Sequence, residues 1–219
     1  MIYVMSDIHG RTDRFDAVMK QINLQVDDRL YVLGDVIDRN GGGIALMFRL
    51  AQMPNATLLL GNHELMMCDC VVDGGDSEEW IMNGGMITLA EYFSLSAKQK
   101  LRLWDYLRQL PTEVEVQVNS KTYLLTHSMP LSLSESQADA VWERVEEDTA
   151  LSEDRTLVFG HTPTVFYQDD DPMRIWHGNN RIGIDCGCST SSGRLACLRL
   201  DDMKEFYSED KIGDEFADA

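Results

Sequence analysis

Ile2-Tyr3-Val4-Met5-Ser6-Asp7-Ile8-His9-Gly10 sets a short apolar run directly before an aspartate and a histidine. A run of β-prone residues followed by turn formers reads as a buried strand. Its carboxyl end is where open α/β sheets gather ligands. The same order recurs twice: Leu30–Leu33 precedes Gly34-Asp35-Val36-Ile37-Asp38-Arg39, and Thr57–Leu60 precedes Gly61-Asn62-His63-Glu64. Between the strands, Arg11–Leu24 carries Phe15, Val18, Met19 and Ile22 at helical spacing. A loop through Gly41-Gly42-Gly43 leads to a second helix, Ile44–Met53, stopped by Pro54. This β-α-β-α-β order predicts a mostly parallel sheet covered by helices.

Farther along, Glu79–Ser94 and Ala97–Leu110 read as helices, the second capped by Ser96 and ended by Pro111. Glu113–Val118, the turn at Asn119-Ser120 and Thr122–Thr126 form a hairpin signature. Ser136–Glu147 fits a helix, and Thr156–Phe159, Arg181–Asp185 and Leu195–Leu200 fit strands. Without repeats or long linkers, one domain is expected, a two-sheet α/β sandwich.

Two of the later strands also end in histidine: His127 follows Tyr123–Thr126, and Gly160-His161-Thr162 follows Leu157–Phe159. Singly, an aspartate after a strand is a turn former or cap, and a lone histidine is a hydrogen-bonded structural residue. Jointly, five strand ends deliver Asp7, His9, Asp35, Asn62, His63, His127 and His161 to one sheet edge. Carboxylate, amide and imidazole without thiolate suit Mn, Fe, Zn or Ni. The ligands are too many for one ion with open positions, and two ions would use them all.

Asp7-x-His9-Gly10, Gly34-Asp35-x-x-Asp38-Arg39, Gly61-Asn62-His63-Glu64, His127 and Gly160-His161-Thr162 resemble the motifs of the calcineurin-like metallophosphoesterases. More narrowly they resemble the serine/threonine phosphoprotein phosphatases of the bacterial and phage type. The resemblance implies a calcineurin-like two-sheet β-sandwich flanked by helices, with residues 1–200 as the metallophosphoesterase domain and 201–219 as an acidic C-terminal tail. It implies a dinuclear centre, Mn first among the candidate metals. Asp7, His9 and Asp35 bind one ion there, and Asp35, Asn62, His127 and His161 bind the other. Asp35 and a hydroxide bridge them, and the hydroxide attacks phosphorus. His63, held by Asp38, is the implied general acid, and Arg39 and Arg144 the implied phosphate-binding residues. Arg144 equally fits a plain helix-surface arginine. Ser6 and Asn40 stand where the family usually has glycine, and Asn tolerates a left-handed backbone. Leu60 stands where some relatives carry a basic residue, an expected cost to phosphate binding or substrate range.

The substrate class expected from this is a phosphoprotein or a small phosphoester. A diadenosine tetraphosphate hydrolase, another nucleotide phosphoesterase and a non-catalytic phosphate- or partner-binding protein stay open as alternatives. The net charge of −18 disfavours nucleic acid, whose binding rests on cationic neutralisation of phosphate. It also requires that metal ions and a few arginines reverse the field inside one cleft. No apolar run is long enough to span a bilayer, and the first residues lack a basic leader, so a cytoplasmic protein is expected. The five cysteines, at 68, 70, 186, 188 and 197, fit reduced thiols in or near the core. His177, in the apparent turn Trp176–Asn180, reads as a surface residue. The acidic segment Cys68–Asn83 reads as a solvent loop near the site mouth.

Overall fold

The structure, a computed structural model, describes residues 1–208. One sheet is built from β1 (Ile2–Met5), β2 (Arg29–Val32), β3 (Ala56–Leu58), β9 (Ala196–Arg199) and β10 (Lys204–Tyr207), in the order β10-β9-β1-β2-β3. β1, β2 and β3 run parallel, and β9 and β10 add antiparallel partners. The other comprises β4 (Glu113–Val118), β5 (Lys121–Thr126), β6 (Thr156–Phe159), β7 (Trp176–Gly178) and β8 (Arg181–Gly183), in the order β4-β5-β6-β8-β7.

Side chains alternate across a strand, so each strand feeds two layers. Val4, Leu33, Leu59, Leu125, Val158 and Leu198 point between the sheets and form one core. Tyr3, Met5, Leu30, Val32, Leu58 and Cys197 point the other way. There they meet Phe15 and Val18 of α1 (Thr12–Ile22), Met47 and Leu50 of α2 (Gly43–Gln52) and Met67 of α3 (Asn62–Val71). Leu124, Leu157 and Phe159 face outward on the second sheet beneath Val145 and the Tyr167 and Trp176 rings. Each large apolar side chain fully buried in these layers contributes roughly 1.5–3 kcal/mol. The predicted two-sheet sandwich is the observed fold.

Several boundaries differ from expectation. The helix predicted over 79–94 is broken into α4 (Glu78–Trp80), a π turn (Ile81–Gly85) and α5 (Met86–Ser94), because Gly84 adopts φ 98°. α6 (Ala97–Leu107) begins at the predicted cap, where Ser96 Oγ accepts the Gln99 N–H at 3.4 Å. Cys68–Asn83 is not a loop throughout: α3 continues to Val71, and Trp80 is fully buried. α7 covers only Gln137–Trp142, and Glu143 turns extended, releasing Arg144 from the helix. Trp176–Gly178 is an edge strand rather than a turn, though His177 is exposed as expected and pairs with Glu205. The 201–219 tail begins too early in the sequence reading. Phe206 is buried against the first core and pairs with Cys197 across β10–β9, and the acidic residues around Phe206 and Tyr207 hid that strand. Positions 209–219 of the expected tail lie outside the described residues. All five cysteines are free thiols, three of them buried. Among the described residues no helix is long and apolar enough to cross a membrane.

Candidate active site

The loops leaving β1, β2, β3, β5 and β6 meet at one edge, as the strand-end pattern predicts. Asp7, His9, Asp35, Asp38, Arg39 and His161 all take positive φ, between 48° and 70°. A left-handed non-glycine residue costs roughly 1–2 kcal/mol, so neighbouring contacts must hold these turns. The expected left-handed site at Asn40 falls instead on Asp38 and Arg39, while Asn40 Nδ2 donates to the His9 carbonyl at 3.0 Å. The His9 N–H donates to the Asp35 carbonyl at 2.9 Å and the Gly10 N–H to that of Val36 at 2.7 Å. Glu64, fully buried, accepts the N–H groups of Asp35, Val36 and Gly61 at 2.7, 2.9 and 3.2 Å. Gly34, with φ 94°, has no space for a side chain: a Cβ would stand 2.6 Å from Gly61 Cα.

Backbone carbonyls orient the imidazoles. His9 Nδ1 lies 2.9 Å from the Ile37 carbonyl and His127 Nδ1 2.6 Å from that of Leu33, which turns both Nε2 atoms toward Asp35. His161 is held the other way, Nε2 on the Trp142 carbonyl at 3.2 Å and Nδ1 inward. Such second contacts fix tautomer and ring direction at metal sites. Burial pushes His9 and His161 down to about 3 and lowers His127 as well, so all three are neutral near pH 7. The Asn62 amide oxygen, turned inward, lies 2.9 Å from His127 Nε2 and 3.1 Å from His161 Nδ1. A neutral ring has one proton, already committed to a carbonyl, so lone pairs converge on this point.

The carboxylates converge too. Asp35 Oδ2 lies 3.7 Å from both His9 Nε2 and His63 Nε2, and Oδ1 lies 3.4 Å from His127 Nε2. Two triplets have ligand atoms within 4.8 Å of one another: His9–Asp35–His63 and Asp35–His127–His161. Asp7 is in neither; its carboxylate accepts the His161 N–H at 3.0 and 3.2 Å. Burial, then the Asp185 and Asp35 carboxylates, raises the Asp7 carboxyl well above its usual range. Burial likewise raises Asp185 to about 6. Several hard oxygen donors, neutral inward-facing imidazoles and no thiolate fit divalent cations.

His63 Nδ1 sits 2.6 Å from Asp38 Oδ2, with both residues buried. Burial opposes protonation of His63, but Asp35 and Asp38 outweigh it and raise the imidazole pKa. Arg39 and Arg144 both line a cavity of about 280 Å³ together with Asp35, Asn62, His161, Phe166 and Asp185. Arg39 Nη2 is 3.4 Å from His63 Nε2, and the Arg144 guanidinium lies 5.5 Å from the Phe166 ring centre. The candidate metal, acid and phosphate-binding residues taken from the sequence therefore all lie at this edge. Asp185 and Glu64 were given no role from sequence. Asp185 follows β8 in the same way that Asp7 follows β1, so the strand-end rule reaches it.

The sandwich and this edge define a hydrolase of the metal-assisted type. The chain matches the calcineurin-like phosphoesterase family over residues 1–187 and belongs to that family, whose members use divalent metal ions. It is a metallophosphoesterase. Two relatives are named serine/threonine-protein phosphatase 2. The Salmonella typhimurium protein is 32% identical over 58% of this chain and 57% of its own length. The Escherichia coli protein is 28% identical over 91% and 92%. A symmetrical bis(5'-nucleosyl)-tetraphosphatase from Marinomonas is 28% identical over 76% of this chain and 59% of its own. A solved protein serine/threonine phosphatase from Saccharomyces cerevisiae shares the fold, with TM-score 0.63, 14% identity and 94% and 78% coverage.

Proposed function

We propose that this metallophosphoesterase is a protein phosphatase removing phosphate from phosphoserine and phosphothreonine, with two divalent cations, Mn first among them. One observation carries the reading: two clusters of potential ligand atoms, one with His9 and one with His127 and His161, share a single carboxylate, Asp35. Asp7, His9 and Asp35 would hold one ion, and Asp35, Asn62, His127 and His161 the other. When bound, such ions polarise the phosphoryl oxygens and lower the pKa of water to near neutrality. The chain's own groups do the rest. Arg39 and Arg144 draw the phosphate into the cavity and balance charge on its oxygens. His63 donates a proton to the departing alkoxide, and Asp38 holds its ring in the donating orientation.

The cavity of about 280 Å³ accommodates a phosphoryl group and its immediate substituent. Five unpaired cysteines favour a reducing compartment, the cytoplasm. Orthophosphate release from phosphoserine and phosphothreonine peptides, measured beside cleavage of diadenosine tetraphosphate with Mn, Fe, Zn or Ni, tests the reading. Peptide turnover should dominate. Dominant cleavage of the dinucleotide would replace this reading with the nucleotide hydrolase.

A further inference from the structure

Asp38 is approached from two sides. His63 Nδ1 lies 2.6 Å from its Oδ2, and Trp80 Nε1 donates to the same oxygen at 2.7 Å. Asp38 is 0% exposed and Trp80 1%. The Asp38 N–H donates to Thr88 Oγ1 on α5 at 3.0 Å, and the Arg39 N–H donates to the Gly84 carbonyl at 3.1 Å. Gly85 packs so closely on the indole that a Cβ there would stand 2.5 Å from Trp80 Cδ1 and Nε1. The broken helix α4–π turn–α5 thus grips the Asp38-Arg39 loop at three points. Asp38 Oδ1 has no donor among the described residues. Both donors on Oδ2 therefore fix the carboxylate's rotation, because nothing on Oδ1 opposes it.

We infer that Trp80 is a positioning residue, its indole N–H clamping the Asp38 carboxylate so that His63 faces the leaving group. The inference rests on the proposed role of His63 as proton donor. A buried indole N–H takes an acceptor wherever it packs, so the choice of acceptor is what informs. Here that acceptor is the carboxylate oxygen hydrogen-bonded to Nδ1 of the acid's ring. Losing the N–H frees Asp38 to turn, and the acid loses its fixed aim. The penalty should scale with how badly the leaving group needs a proton.

The test uses the metal-loaded full chain, with Trp80→Phe to keep ring packing without the N–H, and His63→Asn as comparator. Rates are compared on an alkyl ester, a phosphoserine peptide, and on 4-nitrophenyl phosphate, whose phenolate departs unprotonated. Trp80→Phe should lower kcat on the alkyl ester by roughly tenfold with KM unchanged, and on the aryl ester far less. His63→Asn should show the same bias more strongly. Equal losses on both esters for Trp80→Phe, with the bias intact in His63→Asn, overturn the inference alone. No bias in His63→Asn overturns the acid assignment and the inference with it. Independently of turnover and of that variant's folding, the Trp80 indole proton in metal-free protein should resonate downfield and move in Asp38→Asn. A resonance indifferent to Asp38→Asn would reject the clamp.

Discussion

Glu64 Oε2 accepts the Asp35 N–H at 2.7 Å, so the loop that carries the shared carboxylate hangs on a side chain in the first turn of α3. Glu64 gathers two further N–H groups, from Val36 and Gly61, and no water reaches it. Burial, then the nearby Asp35 charge, raises its carboxyl to about 7 despite these donors.

Glu64→Ala should therefore be costly. Three buried N–H groups would lose their acceptor, at about 1–3 kcal/mol each. Urea unfolding of metal-free protein should show a loss of several kcal/mol and weaker retention of added metal. Unchanged stability would mean that the loops are held by other contacts.

His9 supplies a pH signature. Its imidazole pKa is lowered to about 3 by burial, against 6.5 for the free side chain. Between those values the unfolded chain binds a proton that the folded chain refuses, so this residue removes stability as pH falls below 6.5. From pH 6.5 to 5 the contribution is about 2 kcal/mol at full effect. Metal-free wild type should lose about that much more than His9→Gln over this range. Parallel curves for the two proteins would contradict a buried neutral imidazole.

Arg144 left the helix predicted for it because α7 stops at Trp142, and it now borders the cavity. An exposed cation beside the Phe166 ring at the cavity should act through binding. Arg144→Ala is expected to raise KM for a phosphoserine peptide by about tenfold and to change kcat less. An unaltered KM would return Arg144 to an ordinary surface role.

The strand ends were readable because a parallel strand buried on both faces leaves a pure apolar run, and the polar cluster after it stands out. Asp7, Asp35, Asn62, His127 and His161 follow such runs directly. Less was readable where long-range geometry decides. Trp80 seemed part of a solvent loop because nothing local reveals that its indole meets Asp38, 42 residues earlier. Gly84 broke the predicted 79–94 helix through a φ that the pattern of apolar residues does not encode. β10 escaped because Phe206 is its one buried aromatic, set among charges that resemble a tail.

Asp35 stands in both clusters of potential ligands, so it should serve two cations at once. Metal content per chain, measured after dialysis for wild type and Asp35→Asn beside phosphoserine-peptide turnover, tests it most directly. Wild type should hold two divalent ions, with both occupancy and turnover collapsing in the variant. An Asp35→Asn protein that keeps two ions and turns over at the wild-type rate would contradict it.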